Sequence, residues 1–168
     1  MASKVVNGLT ATLFLILAVA GIFYLQTGPC FGTPGEYEQV NLTLEDRNGT
    51  ALAAVTARIA DTGTKRCVGL SNTESLDDGE GMLFVHDESG EYGYVMRDMA
   101  FPLDIVFVAA NGTVTEIHHA AVEPNASGSD LTRYRGRGRY VLEVPRGYTN
   151  ATGLDVGDRV LVPAGVGT

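Results

Sequence analysis

Apolar and polar residues alternate along much of this chain with the two-residue period of a half-buried strand, and Gly, Asn and Pro interrupt the alternation at short intervals. Val40, Leu42 and Leu44 alternate with polar neighbours, Asn48-Gly49 marks a turn, and Val55, Ala57 and Ile59 alternate again. That pattern predicts a β-hairpin, because Asn-Gly accepts the positive backbone angles a tight hairpin turn requires. Residues 82–85 and 92–96 predict a second strand pair with 86–91 as its connection. Residues 103–109 and 113–119 predict a third, turned by Asn111-Gly112, with Pro102 placed just before its first strand, where a missing N–H costs least. Residues 140–144 and 159–162 supply closing strands, with a turn or helical bend at 148–153. The period changes at 64–70, which predicts a short helix entered through Asp61 or Thr62 and interrupted at Gly69. Residues 123–138 are polar, Gly-rich and irregular, and predict a long loop. The predicted fold is mainly β: a small β-barrel or sandwich of short antiparallel strands with one short helix, and no internal repeat.

The start of the chain has a different pattern. Residues 5–25 carry no charge, and their length matches a hydrocarbon core, so a transmembrane helix is expected before the β-rich part. A cleaved secretory signal is the alternative, with Lys4 as its positive region and Ala18-Val19-Ala20 as a small-x-small cleavage pattern. The apolar run continues past that point to Leu25, which favours an uncleaved anchor. The expected organisation is therefore an anchor at 1–25, a Gly/Pro/Thr linker at 26–36 and one domain at 37–168, the length leaving no room for a second. Lys4 precedes the span while Glu36 and Glu38 follow it, which places the domain outside the cytoplasm, as a single-pass membrane protein or a secreted one.

Asparagine usage agrees with that placement. Asn41, Asn48, Asn111, Asn125 and Asn150 each head an Asn-x-Ser/Thr sequon, an excess over the roughly one that composition predicts, and are candidate glycosylation sites. Asn-Gly-Thr is also turn chemistry, and both roles need exposed turns. The formal net charge is −8 and Lys4 and Lys65 are the sole lysines beside ten arginines, which reads as a surface adapted to high salt. The same charge argues against general nucleic-acid binding. Two cysteines, Cys30 and Cys67, do not make a disulfide scaffold; Cys67 reads as a small apolar residue, with a Cys30–Cys67 bond as the alternative.

Several motifs fall in a characteristic order: Arg66, Gly69 and Leu70; Gly81, Met82, Leu83 and Phe84; Pro102, Leu103, Asp104 and Phe107; Tyr140, Val141, Leu142, Glu143 and Gly147; Gly157 and Asp158. With these the chain resembles, over residues 57–162, the family catalogued as domain of unknown function 192. Met96 matches the methionine of that family's Trp-Met-Lys-Asn-Thr motif, whereas Val95, Arg97, Asp98 and Met99 depart from it. The resemblance implies a fold and a shared polar set; it implies no particular activity.

That polar set is Arg66, Asp98, Asp104 and Glu143, each beside strongly apolar residues, where a charge must be paired or is strongly disfavoured. Two arrangements fit. In one, Arg66 binds an anionic or carbonyl group while a carboxylate of raised pKa works as acid or base. In the other, the set is a buried ion pair fixing the helix to the barrel. Arg133, Arg135, Arg137 and Arg139 reverse the local charge sign and make a second candidate, an anion-binding loop for phosphate, acidic glycan or lipid headgroup, unless they pair with the chain's own carboxylates. Met82, Met96, Met99, His86, His118, His119 and Cys67 are soft or borderline ligand types, but their spacing is weak evidence; adjacent His118 and His119 point to opposite faces of a regular strand, and no metal or other cofactor is expected. No phosphate-binding Gly-rich loop, Gly-x-Ser-x-Gly elbow or zinc-ligand pair is present. The expected role is thus a membrane-anchored binding or accessory domain for a small polar ligand, an envelope glycan or a protein partner. An enzyme of undefined class using a carboxylate and an arginine, and a structural envelope protein, are the alternatives.

Overall fold

A computed structural model describes Cys30 and residues 32–167. The expected anchor at 5–25 lies outside the described residues, and among those described no helix is long and apolar enough to cross a membrane. Residues from Thr33 onward make one compact unit, and the preceding unit, Met1–Gly32, falls almost wholly outside the description.

The strands are β1 (Gln39–Glu45), β2 (Ala51–Ala60), β3 (Glu80–Tyr94), β4 (Leu103–Val108), β5 (Val114–Ala120), β6 (Tyr134–Pro145) and β7 (Arg159–Leu161). Two short helices, α1 (Gly63–Val68) and α2 (Tyr148–Thr152), and a single 3₁₀ turn, Gly128–Asp130, complete the described secondary structure. All seven strands form one curled sheet in the order β5-β4-β6-β3-β2-β1-β7. Its two edges meet at one end: Val160 N–H donates to the Gly112 carbonyl at 2.8 Å and Val114 N–H to that of Asp158 at 2.8 Å. Gly112 makes this closure possible, since a Cβ there would lie 2.8 Å from the Val160 carbonyl oxygen.

The predicted β1–β2 and β4–β5 hairpins form, with Leu42 paired to Val55 and Ile105 to His118. The helix forms as well: Thr62 Oγ1 caps it by accepting the Lys65 N–H at 3.2 Å, and Gly69 ends it. Three expectations are corrected. The strands are not uniformly antiparallel, because β2 and β3 run parallel, joined by a crossover that carries α1. Residues 82–85 and 92–96 are not a strand pair either; residues 80–94 are one strand that pairs with β6 twice, Val85 opposite Tyr140 and, after an irregularity, Gly90 opposite Gly138. Finally, the loop expected at 123–138 ends early, since β6 begins at Tyr134.

Beyond the irregularity, the ribbon made by the end of β3 and the start of β6 folds over the outer face of β4 and β5. Thr115 Oγ1 donates to the Arg137 carbonyl at 2.6 Å, and the Tyr94 and Phe107 rings meet edge to face at 5.9 Å. Gly136 allows this approach, because a side chain there would overlap the Phe107 ring. The sheet therefore buries both faces. Leu42, Leu44, Val55, Leu83, Val106, Leu142 and Val160 fill the concave side. Leu70, Met82, Phe84, Met96, Ile105, Phe107 and Val141 fill a second core between the sheet, α1 and the ribbon.

Candidate functional site

Alternation along β6 puts Val141 and Glu143 on the face of the second core, between Met82 of β3 and Ile105 of β4. Glu143 is 5 % exposed. Its carboxyl makes no hydrogen bond or ion pair among the described residues and opens onto solvent only through a cleft, and burial pushes its pKa up to about 8. The carboxyl faces an open cleft of about 360 Å³ bounded by α1, the turn after it, the ribbon and the segment 95–103. Leu70, Phe84, Met99 and Leu103 form apolar walls, while Arg66, Arg97 and Arg133 add cationic groups.

Each arginine is held by backbone carbonyls, so the cationic rim is built into the fold. Arg66 Nη1 donates to the carbonyls of Asp61 at 2.6 Å and Val85 at 2.7 Å, fastening α1 to β3. Arg97 Nη2 donates to the Cys67 carbonyl at 2.6 Å, and Arg133 Nη1 to that of Gly93 at 3.3 Å. His86 and Tyr94 stand on the ribbon side, with Nε2 and the phenol oxygen 3.0 Å apart. Burial, with Arg66 nearby, lowers the His86 pKa to about 4, so the ring is neutral near pH 7. Its face stacks on Tyr92 with ring centroids 3.5 Å apart. Burial and then the Glu143 carboxyl push the Tyr94 phenol well up, which keeps it protonated.

Of the four residues expected to act together, Arg66 and Glu143 do line one cleft, without forming an ion pair. Asp104 lies elsewhere. It is fully buried, and its Oδ2 accepts the Gly147 N–H at 3.0 Å, the Thr149 N–H at 3.0 Å and the Thr149 hydroxyl at 2.7 Å. Its Oδ1 is 2.6 Å from His119 Nδ1, which carries the proton, since an ionised carboxylate can only accept. Burial would raise its pKa, but these bonds outweigh burial and lower it. Asp104 thus ties α2 and β5 to β4. Asp98 is exposed and is the sole described residue other than glycine with positive φ, 54°, a conformation that Asp and Asn tolerate better than most residues. That backbone demand accounts for an Asp at the family's Asn position.

The arginine segment does not converge on one point, because from Tyr134 onward it is a strand. Arg133 borders the cleft, exposed Arg135 sits 3.6 Å from Glu91, and Arg137 is exposed. Arg139 donates to the Gly167 carbonyl at 2.8 Å. The histidines diverge as well, His118 reaching the Arg135 carbonyl and His119 the Asp104 carboxylate. Among the described residues no group of three His, Cys, Asp or Glu is placed to hold a metal ion. Neither cysteine is a free thiol: Cys67, expected to be a small apolar residue, is disulfide-bonded, as is Cys30. All five sequon asparagines are exposed. Sequence reasoning missed Tyr94 and Arg97 as cleft residues and weighed His86 only as a metal-ligand type; the usable signal for the first was aromatic residues two apart in a strand, Tyr92 and Tyr94.

The family model described as DUF192, an uncharacterised family, matches residues 43–162. Among solved structures, a putative transcription regulator from Sinorhizobium meliloti superimposes with a TM-score of 0.67 at 28% identity, over 75% of this chain and 95% of that one. A protein of unknown function from Novosphingobium aromaticivorans gives 0.64 at 27% identity, over 81% of this chain and 94% of that one. No curated protein matches.

Proposed function

The chain belongs to the DUF192 family, and from that premise we propose that it is a ligand-binding or accessory domain whose site is the cleft over Glu143, held outside the cytoplasm by the apolar segment at 5–25. The observation that carries the reading is a largely buried carboxyl that makes no protein hydrogen bond and opens onto a cleft. A carboxyl set in apolar surroundings with only the cleft to supply partners is costly to keep, which favours a use for it there. Disulfide-bonded cysteines and five exposed sequons support an oxidising compartment outside the cytoplasm. The net charge of −8 supports a surface suited to high salt and weighs against a nucleic-acid role, so the label of the Sinorhizobium relative is not carried over.

Thermal unfolding of the full chain in detergent and concentrated KCl, with a panel of sugars, organic acids, inorganic anions and metal ions, tests this. The expected outcome is stabilisation by one ligand class, lost in Glu143→Leu although that variant folds at least as stably, because an apolar residue removes the unpaired carboxyl. Equal stabilisation of the variant would place binding elsewhere. No stabilisation of the wild type by any ligand would favour a structural envelope protein.

The raised pKa of Glu143 also favours a second reading, an enzyme in which Glu143 is the general acid and Arg66 stabilises developing charge. Mass spectrometry of each stabilising ligand after incubation with the protein separates the two, since a binding domain returns the ligand unchanged.

A further inference from the structure

The cleft that we read as the ligand site has a charge pattern that selects among ligands. Arg66, Arg97 and Arg133 border it, and the one carboxyl at its floor makes no bond to them among the described residues. The charged and titratable groups that share the cleft with this carboxyl are Arg66 of α1, His86, Tyr92 and Tyr94 of β3, Arg97 and Arg133, with Met82 and Ile105 flanking it on the neighbouring strands. Neither a lysine nor a charged histidine is among them: His86 is neutral, and the described lysine, Lys65, pairs with Asp61.

We propose that the cleft binds a small organic acid, its anionic head on the arginines, its carbon body against Leu70, Phe84 and Leu103, and an acceptor oxygen on the Glu143 carboxyl, which serves as hydrogen-bond donor. Guanidinium forks match the head, as they do carboxylates generally. The apolar walls favour an organic body over a bare inorganic ion. The volume, about 360 Å³, suits a molecule the size of a hydroxy acid or a single sugar acid. A carboxyl that is uncharged near pH 7 can donate to an acceptor oxygen; an ionised one would repel it.

The inference rests on the ligand-site reading, and its test separates the two. Calorimetric titrations of the full chain use acetate, glycolate and glucuronate as organic acids, sulfate as an inorganic oxyanion, and glycine and alanine as zwitterions, each from pH 6 to pH 10. Organic acids are expected to bind the wild type, with affinity falling about tenfold per pH unit above about 8 as the donor proton is lost. Glu143→Gln, which keeps a donor, is expected to bind them with no such fall. As a check independent of any variant, wild-type titrations near pH 9 in two buffers of different ionisation enthalpy should show uptake of a proton by the complex.

Zwitterions binding instead, with affinity rising as pH rises, would overturn the inference and leave the ligand-site reading standing, because Glu143 would then act as an ionised acceptor for an ammonium group. Sulfate binding as tightly as the organic acids, without pH dependence, would overturn it in favour of a bare anion site. If no probe binds while another compound of the wider panel does, the organic-acid assignment alone is wrong. If nothing binds at all, both readings fall.

Discussion

Replacing Glu143 by Gln should change how stability depends on pH across the neutral range. Burial raises the carboxyl from its ordinary 4.5 to about 8. Between those values the folded chain holds a proton that the unfolded chain releases, so this group makes stability fall as pH rises through the window, with the loss complete above about 8. At about 1.4 kcal/mol per pH unit the full loss is roughly 5 kcal/mol, a ceiling, since water entering the cleft eases burial. Glutamine keeps the shape and cannot ionise. Denaturant unfolding of wild type and Glu143→Gln at matched pH values from about 4 to about 9 should therefore give a difference that grows steadily in the variant's favour, by several kcal/mol. In thermal scans that corresponds to about 10–15 °C for a domain of this size. Other titrating groups are common to both proteins and cancel in the difference. A difference that stays constant across the range would refute the reasoning, because it would mean that Glu143 ionises alike in the folded and unfolded chain.

The remaining predictions concern the frame around the cleft. Asp104→Asn should cost about 2–4 kcal/mol in denaturant unfolding, because it disrupts a fully buried carboxylate that accepts from Gly147, from Thr149 twice and from His119. Its lowered pKa adds stability that is present above about 3.8 and lost as pH falls through the folded value, so the acid side of the wild-type profile should flatten in the variant. Gly136→Ala should destabilise by about 1–3 kcal/mol, since the new methyl would displace the Phe107 ring and lift the ribbon; circular dichroism melting would detect it. Thr62→Ala should lower stability by about 1 kcal/mol through loss of the α1 cap, with little effect on the sheet, as read by amide exchange confined to residues 62–69.

Local patterning carried the hairpins and the helix, because period-two alternation, Asn-Gly turns and a Thr cap each act within a few residues. It did not carry the β2–β3 pairing. Parallel neighbours leave no turn between them, and the alternation of Val55, Ala57 and Ile59 is the same whichever strand lies alongside. The polar stretch at 86–91 looks like a turn and so divides the long β3 in two on local pattern alone, when it is the bend at which the ribbon leaves the sheet. The start of β6 has the pattern of a loop for a related reason. Arg135 and Arg137 face solvent, and Gly136 and Gly138 face protein with no side chain to signal it, the space being taken by Phe107 and the Val108 carbonyl.

The candidate site was half legible. A charged residue set among apolar ones picked out Arg66, Asp104 and Glu143 alike, and all three are tied into the core. What separates them is whether a distant backbone supplies partners. Asp104 finds amides in the turn into α2, 43 and 45 positions away, while Glu143 finds none. Spacing along the chain holds no record of that difference.

The central claim is that function resides in the cleft and not in the exposed arginines of β6, and two charge reversals, one at the cleft and one on that strand, test it directly. Arg133 borders the cleft and Arg137 is exposed outside it, so organic-acid titrations of the full chain should lose about tenfold or more in affinity for Arg133→Glu and stay near wild type for Arg137→Glu. Equal weakening by both, or wild-type affinity with Arg133→Glu, would contradict the account.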